Sequence, residues 1–462
     1  MKQYDFLVIG SGPAGQKAAI QAAKFGKRIA IIERRAVIGG VSVHTGTIPS
    51  KTIREALLYL TGWNQRGLYG NGYRLKPNVT IDDLMRRLHI TLNHEIEIMQ
   101  DQMARNGIEV IQGVASFKDE HRLRVKSAIG EMSEVEAEKI LIATGTQPQR
   151  PEGIPFDDTT VIDSDGIVNL KTLPKRMIIV GAGVIGVEYA SIFSVLDIEL
   201  TLIDGRDTLL EFLDREIVDE LVHCMRQRDI TLRLGEKVTG VEKDADGRVI
   251  TTLESGKRLR AELVMFTAGR EGTAAELQLK KAGIATDKKQ RIPVNEQYQT
   301  VAPHIYAAGD VIGFPSLAST SMEQGRLAAC HAFDQKSSSR PEHFPFGIYS
   351  VPEMSMVGVT EQELTAKKIS YETGKAHLWE TARGQIMGLE EGMLKMIFRA
   401  EDQRLLGVHI LGEGATELIH IGQAVLVLEG TLEYFLETVF NYPTLAEAYK
   451  IAALDVWNRI SG

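Results

Sequence analysis

The feature that most constrains this chain is a glycine triplet that occurs twice. The two copies place their glycines at Gly10, Gly12 and Gly15 and at Gly181, Gly183 and Gly186. In each copy a short apolar run precedes the glycines and a helix-like run follows them. A second apolar run then ends in an acid, Glu33 in the first copy and Asp204 in the second. Glycines and acids recur at one offset of 171 residues, which predicts two copies of one strand–turn–helix–strand unit.

Each unit has the residue types that bind a dinucleotide. The first glycine permits a tight turn, the second lets the backbone approach a pyrophosphate, and the third lets the helix pack on the strand. The helix N-terminus offers free amide groups to the phosphates, and the terminal acid can accept hydrogen bonds from a ribose diol. We predict strands over 4–9, 28–32, 177–180 and 199–203, with helices ending near residues 25 and 196. Two dinucleotides bound at once is what hydride transfer between them requires.

Further apolar segments indicate how the two units close. ILIATG, at 140–145, and VMFTAG, at 264–269, are predicted strands that end in small residues, namely Thr144, Gly145 and Gly269. The segment 300–310 is predicted to be a buried strand ending at Asp310, with a helix beginning near Leu317 and Ala318.

Composition limits the class of protein. A chain of 462 residues with 44% hydrophobic and 25% charged residues is typical of a globular protein of several domains. A net charge of -8 argues against a nucleic-acid partner, and no window has the ~18 apolar residues of a membrane span. Cys224 and Cys330 lie in helix-like segments and are predicted to be buried, reduced thiols. We therefore expect a cytoplasmic protein without structural disulfides. No metal site is expected, because no histidines have ligand spacing.

Five ordered motifs carry a resemblance that covers essentially the whole chain: GSGPAG, IPSK, GAGVIGVE, the segment from Thr300 to Gly309-Asp310, and YPTLAE. With these motifs the chain resembles the flavin-containing pyridine nucleotide–disulfide oxidoreductases. The resemblance implies an α/β fold with two Rossmann-like domains, the first binding FAD tightly and the second binding NAD(P)(H), plus a C-terminal α+β dimerisation domain. It also implies a homo-oligomer, at least a dimer, whose subunits complete each other's flavin sites.

The resemblance also implies domain boundaries. The FAD-binding domain would cover 1–150 and continue as a central segment over 276–340. The NAD(P)-binding domain would cover 151–275, and the interface domain would cover 341–462. Within the last domain we expect strands over 392–399 and 405–411, and helices over 415–428 and 445–458.

The segment GGVSVHTGTIPSK, residues 39–51, departs from the family's chemistry. Ser42 and Thr47 stand where the disulfide reductases carry their two redox cysteines. Tyr442-Pro443-Thr444 stands where they carry His-Pro-Thr, although Glu447 is retained. A free tyrosine ionises only near pH ~10, so it is a poor proton shuttle at neutral pH. Losing both parts argues against a disulfide reductase. By the same resemblance, the Tyr442–Pro443 peptide should be cis.

What remains resembles family members that pass hydride from NADPH to NAD+ through FAD, in a ping-pong reaction at one nicotinamide site. The resemblance assigns Lys51 to the flavin's N5 side, paired with Glu188, as the catalytic pair. It assigns Asp310 to the ribityl chain and the helix start at Ala318 to the flavin's N1 and O2 side. An NAD(P)H:quinone or dye reductase, a lipoamide-dehydrogenase-like protein lacking its thiols, and a scaffold without activity stay open as alternatives.

The loop Ile203-Asp204-Gly205-Arg206-Asp207 holds both an acid and an arginine. An acid at the strand end favours the ribose 2′-OH of NAD, and an arginine favours the 2′-phosphate of NADP. We predict that Asp204 serves NAD(H) and Arg206 serves NADP(H). Alternatively, Arg206 lies in solvent or pairs with Asp207.

Overall fold

A computed structural model describes residues 2–70, 72–339 and 343–460. Within these ranges the strands are β1 Lys2–Ile9, β2 Ile29–Glu33, β3 Glu109–Gln112, β4 Val114–Phe117, β5 Arg122–Lys126, β6 Met132–Ile142, β7 Thr146–Pro148, β8 Val161–Asp163, β9 Arg176–Val180, β10 Glu199–Asp204, β11 Thr231–Leu234, β12 Val238–Lys243, β13 Val249–Leu253, β14 Arg258–Ala261, β15 Leu263–Phe266, β16 Arg270–Gly272, β17 Ile305–Ala307, β18 Phe346–Ile348, β19 Met354–Gly358, β20 Tyr371–His377, β21 Met393–Arg399 and β22 Leu405–Leu411.

The helices in the same ranges are α1 Pro13–Lys24, α2 Gly40–His44, α3 Thr47–Leu60, α4 Arg66–Tyr69, α5 Ile81–Arg105, α6 Val184–Phe193, α7 Arg215–Gln227, α8 Ala318–Ala332, α9 Glu361–Lys367, α10 Ala382–Met387, α11 Ala415–Val427, α12 Leu432–Glu437 and α13 Glu447–Ile460.

The chain folds into two compact units. The first takes its described residues from 1–52, 85–149 and 269–341. The second takes them from 53–84, 150–268 and 342–462. The second glycine copy and the C-terminal segment thus share one unit, and the predicted domain boundaries stay a prediction.

The first unit is built on a sheet in the order β3-β2-β1-β6-β5-β4, with β17 also paired to β6. β1 is parallel to both β2 and β6. Both faces of β1 are covered: Phe6 and Val8 pack with the alanines of α1 and α8, while Leu7 and Ile9 pack into a second core on the other face. Burial on both faces explains why this strand reads as a continuous apolar run rather than an alternating one.

The second unit contains a parallel sheet in the order β11-β10-β9-β15-β8 and an antiparallel sheet, β12-β13-β14. Its C-terminal part is an antiparallel sheet in the order β18-β19-β22-β21-β20. Helices α11 and α13 cover this last sheet, with Tyr449 and Ala452 of α13 in one apolar core with Leu394 and Val408. The predicted α/β class with a C-terminal α+β part is therefore confirmed.

The predicted elements of both glycine copies are present, with no end shifted by more than three residues. The segment 300–310 differs more, because only Ile305–Ala307 is a strand. Upstream, the Thr300 hydroxyl donates to the carbonyl of Ile305 at 2.9 Å and accepts from the amide of Ala302 at 3.2 Å. This local turn replaces the strand that the apolar pattern predicted.

Candidate functional site

The first glycine turn has two glycines that the fold requires and one that it does not. Gly10 has φ +103°, and a Cβ atom there would lie 2.4 Å from the carbonyl oxygen of Ala143. A Cβ atom at Gly15 would lie 2.0 Å from the carbonyl oxygen of Gly10. At Gly12, the residue before α1, the nearest atom would be the Cα of Gly40, at 4.0 Å. The open space at Gly12 fits a group that approaches the backbone from outside the protein.

The second glycine turn repeats this arrangement. A Cβ atom at Gly181 would lie 2.6 Å from the carbonyl oxygen of Thr267, and one at Gly186 would lie 1.9 Å from that of Gly181. No described atom lies within 4 Å of a Cβ atom at Gly183, which precedes α6. The middle glycine is again the one whose small size serves no packing need, as a phosphate-binding turn requires.

The acid at the end of the second strand is held in the same way in both copies. In the first copy, Glu33 accepts hydrogen bonds from the amide and hydroxyl of Ser11 and, at 2.8 Å, from the amide of Arg35. These contacts fix the carboxylate beside the glycine turn. Three donors occupy two oxygens that can accept about four hydrogen bonds, so one acceptor position remains for a ribose hydroxyl.

In the second copy, the side chain of Arg206 is hydrogen-bonded to the acid at the strand end. Asp204 accepts from the amides of Ala182, at 2.6 Å, and Arg206, at 2.8 Å, which are the counterparts of Ser11 and Arg35. The Arg206 guanidinium adds two more bonds, Nε at 3.0 Å and Nη2 at 2.7 Å. Burial alone would raise the pKa of Asp204, but these bonds hold it below its usual value. Each oxygen thus accepts two hydrogen bonds, which fills the carboxylate.

Polar side chains of the first unit lie around Asp310. Its carboxylate lies 3.4 Å from the hydroxyl of Thr146 and 3.3 Å from that of Ser321, and burial raises its pKa although Arg270 opposes the rise. Sequence reasoning missed Thr146 and Arg270, whose guanidinium donates to the Thr146 hydroxyl at 2.9 Å. A half-buried acid that is incompletely hydrogen-bonded within the protein fits a polar ligand such as the ribityl chain.

Three further predicted residues lie just beyond strand ends, Thr144 and Gly145 after β6 and Gly269 after β15. Thr144 has a buried hydroxyl with no partner among the residues that the structure describes. Gly145 has φ +71° and Gly269 has φ +109°, conformations that favour glycine. Helix α8 begins at Ala318, as predicted, so its positive end lies at that residue.

The segment 39–51 folds into α2 and the start of α3, although no regular period predicted a helix there. Gly40, which sequence reasoning missed, has φ +63°, and a Cβ atom there would lie 2.7 Å from the Cα of Gly12. The doubled glycine was the available signal for this close approach. His44 Nε2 lies 3.1 Å from the carbonyl of Ile38, and the Ser42 hydroxyl donates to the carbonyl of Gly39 at 3.0 Å. His44 and Ser42 therefore have structural partners.

The proposed catalytic residues lie in different units. Lys51 is on α3 in the first unit, with Nζ 3.2 Å from the Ser50 hydroxyl. Glu188 is buried on α6 in the second unit, where it accepts from the amide of Tyr349 at 2.8 Å. Their pairing stays a prediction. The Tyr442–Pro443 peptide is cis, as expected.

Two other groups are accounted for within the fold. Cys224 and Cys330 are free and buried, and burial raises the pKa of both thiols, that of Cys224 to about 12. Carboxylates of Asp214, Glu216 and Glu361 converge closely enough to hold a cation. The buried ammonium of Lys395 pairs with all three, so their charge already has a partner.

None of the helices in the described ranges is both long and apolar enough to cross a membrane.

Comparison with known protein families identifies the family to which the chain belongs. Residues 4–325 match the pyridine nucleotide-disulphide oxidoreductase family, and residues 344–453 match the dimerisation domain of that family. The chain therefore belongs to the pyridine nucleotide-disulphide oxidoreductases, whose members use FAD and NAD(P)H. The dimerisation domain supports a homo-oligomer.

Individual relatives narrow the comparison. The chain is 52% identical to a protein of Mycobacterium tuberculosis and 44% identical to one of Klebsiella pneumoniae, each named soluble pyridine nucleotide transhydrogenase. These alignments cover 100% and 99% of this chain and 98% of each relative. Among solved structures, LpdA of M. tuberculosis has a TM-score of 0.90 at 25% identity, covering 98% of this chain and 99% of that one. The HOCl-induced flavoprotein disulfide reductase RclA of Escherichia coli has a TM-score of 0.87 at 28% identity, with the same coverage.

Proposed function

We propose that this protein catalyses FAD-dependent hydride transfer between NADPH and NAD+, giving NADP+ and NADH, without a redox disulfide. The observation that carries the proposal is the pair of glycine turns, each with an open middle glycine, in a chain that has Ser42 and Thr47 in place of cysteines. The full-length relatives named as transhydrogenases support the same reaction. The reducing cytoplasm is the compartment that suits its two free thiols.

The first unit holds the flavin cofactor in this proposal. Gly12 and the start of α1 bind the pyrophosphate, Glu33 binds the ribose diol, and Asp310 binds the ribityl chain. FAD, when bound, supplies the ring that accepts a hydride from one nicotinamide and gives it to another. In this proposal Lys51 orients that ring and Glu188 is its carboxylate partner, because an ammonium that a bound cofactor removes from water requires a counter-charge.

The second unit binds the two nicotinamide nucleotides in turn. Gly183 and the start of α6 bind the pyrophosphate of either nucleotide. Because Arg206 fills the carboxylate of Asp204, the guanidinium must move before Asp204 can accept a ribose diol. Arg206 is therefore the residue that moves. Its guanidinium leaves Asp204 when NAD(H) binds and turns to the 2′-phosphate when NADP(H) binds.

The test is a pair of half-reactions under anaerobic conditions. NADPH should bleach the flavin absorbance of the purified protein, and NAD+ added afterwards should restore it while NADH forms. Failure of NAD+ to restore the oxidised flavin, together with rapid restoration by a quinone, would identify a quinone or dye reductase instead. Reduction of lipoamide or glutathione disulfide at comparable rates would contradict the absence of redox thiols.

A further inference from the structure

The loop that follows Asp204 lies beside the loop that follows β11, because β10 and β11 are parallel and end at the same edge of the sheet. Asp204 is opposite Leu234 in this pair. The amide of Gly235 donates to the carbonyl of Arg206 at 2.9 Å, and the amide of Glu236 donates to the carbonyl of Asp204 at 3.0 Å. The backbone therefore fixes the second loop next to the Arg206 loop.

Gly205 is where a side chain of the second loop crosses the first. A Cβ atom at Gly205 would lie 3.0 Å from Cγ and 3.5 Å from Cε of Lys237. The φ angle of Gly205 is not positive, so its backbone conformation does not itself require glycine. The missing side chain gives room to the stem of Lys237, which is an exposed residue. The Lys237 ammonium consequently lies close to the Arg206 loop.

Arg206 alone should bind a phosphate weakly, because its charge is already matched by that of Asp204. A second carboxylate of this loop, that of Asp207, lies 2.6 Å from where a Cβ atom of Gly235 would stand. Both carboxylates would repel a phosphate dianion. A further cation is needed to make this edge of the sheet attractive to it.

The lysines of the region differ in their partners. Lys257 pairs with Glu236 at 3.6 Å, so its charge is matched by a carboxylate of the second loop. Lys237 instead lies against Gly205, the residue that directly precedes Arg206. Of these two cations, Lys237 is the one placed to meet a group that binds Arg206.

We propose that Lys237 is a specificity-determining residue that binds the 2′-phosphate of NADP(H) together with Arg206, and that Gly205 provides the space it needs. An ammonium and a guanidinium on one phosphate give charge-assisted hydrogen bonds from two directions. A nucleotide with a free 2′-hydroxyl makes no such contact, so Lys237 adds affinity for NADP(H) alone. This inference rests on the proposed function, since it assigns a residue to one of its two nucleotides.

The test compares two ligands that differ only in the 2′-phosphate, adenosine 2′,5′-bisphosphate and adenosine 5′-monophosphate. Their dissociation constants are measured by titration calorimetry on the flavin-loaded, full-length protein. Lys237→Met keeps most of the stem and removes the charge. It should weaken binding of the bisphosphate about tenfold and change binding of the monophosphate less than about twofold. Unchanged discrimination in this variant would overturn the role of Lys237.

Lys257→Met is the matched control, because it removes an equal charge from the same region. If the contact is direct, this variant should weaken bisphosphate binding less than about threefold. An effect as large as that of Lys237→Met would show that only the net charge matters, and would overturn the contact.

Gly205→Ala tests the space beneath the lysine. It should weaken bisphosphate binding in the unaltered protein and have no further effect in the Lys237→Met background, because the ammonium that binds the phosphate is then already absent. An equal effect in both backgrounds would overturn the role assigned to Gly205. Equal affinity of the unaltered protein for the two ligands would instead remove the 2′-phosphate site itself, and with it the nucleotide pair of the proposed function.

Discussion

At the scale of single residues, the two glycine copies differ in how an arginine side chain meets the acid at the strand end. Arg35 and Arg206 stand at equivalent positions, and each donates its amide to the acid two residues earlier. Only Arg206 also places its guanidinium on that acid. A cofactor that stays bound is served by an acid with a free acceptor. In the proposed function, the acid and the arginine of the second copy would be released from each other when a nucleotide binds.

Replacing Arg206 or Asp204 by alanine should affect the two half-reactions differently. Arg206→Ala should weaken the NADPH half-reaction by about 1.5–3 kcal/mol, because a charge-assisted contact is lost, and should spare the NADH half-reaction. That loss corresponds to roughly one to two orders of magnitude in affinity. Asp204→Ala should do the reverse. Stopped-flow flavin reduction by each nucleotide separately measures both, and equal slowing by Arg206→Ala would show that the phosphate is read elsewhere.

The cysteines give a second prediction at this scale. Because burial raises the pKa of Cys224 to about 12, only on the order of 0.01% of it is thiolate at pH 8. Cys330 is also buried, with its pKa raised. Native protein should therefore keep its transhydrogenation activity in a thiol-alkylating reagent and show no thiolate-to-flavin charge-transfer band. Mass spectrometry should find both cysteines unlabelled until the protein is unfolded in guanidinium, and rapid inactivation would contradict this.

At the scale of elements, α1 and α2 meet through glycines. Gly12 precedes α1 and Gly40 begins α2, and the Cα of the first would lie 2.7 Å from a Cβ atom on the second. This approach places residues 39–51 beside the glycine turn. The identity of residue 40 therefore decides whether the turn can keep its shape.

Gly40→Ala should destabilise the first unit and reduce its flavin content. The left-handed conformation costs about 1–2 kcal/mol for a residue with a Cβ atom, and the clash adds roughly 1–3 kcal/mol. Gly26→Ala is the matched control, because Gly26 has φ +72° and no described atom within 4 Å of its Cβ position. The melting temperature and the ratio of flavin to protein absorbance measure the difference. Similar values for the two variants would refute the close contact of α1 and α2.

At the scale of the whole molecule, the C-terminal part of the chain exposes large apolar side chains. Val439 is 91% exposed and Tyr442 is 74% exposed. Leu454 and Trp457, on α13, are also exposed. Side chains of this kind are more typical of a subunit interface than of a free surface. They lie within or close to the dimerisation domain matched by residues 344–453.

Val439→Arg should therefore separate the subunits. Burying an unpaired guanidinium at an interface should raise the dissociation constant of the dimer by at least about a hundredfold. Val301→Arg is the control, because Val301 is 78% exposed and lies outside the dimerisation domain. Sedimentation velocity should show monomers for the first variant and dimers for the second. A fully active monomer would contradict the view that the subunits complete each other's sites.

Local sequence determined much of the secondary structure of this protein. The glycine triplets, the apolar runs on either side and the acids Glu33 and Asp204 predicted both strand–turn–helix–strand units, because turn conformation and strand burial depend on residues close together in the chain. The strands at 392–399 and 405–411 were predicted within one residue of their ends. The missing cysteines at Ser42 and Thr47 were also visible directly.

The tertiary structure decided which side chains meet. The sequence left open whether Arg206 pairs with Asp207, and the structure pairs it with Asp204. The contacts of Gly40 with Gly12, and of Lys237 with Gly205, join segments about 30 residues apart. Such contacts depend on strand register and on the paths of two loops at one sheet edge. A periodic pattern of apolar residues fixes neither of these, because it specifies which face of an element is buried and not which loop residues lie opposite each other.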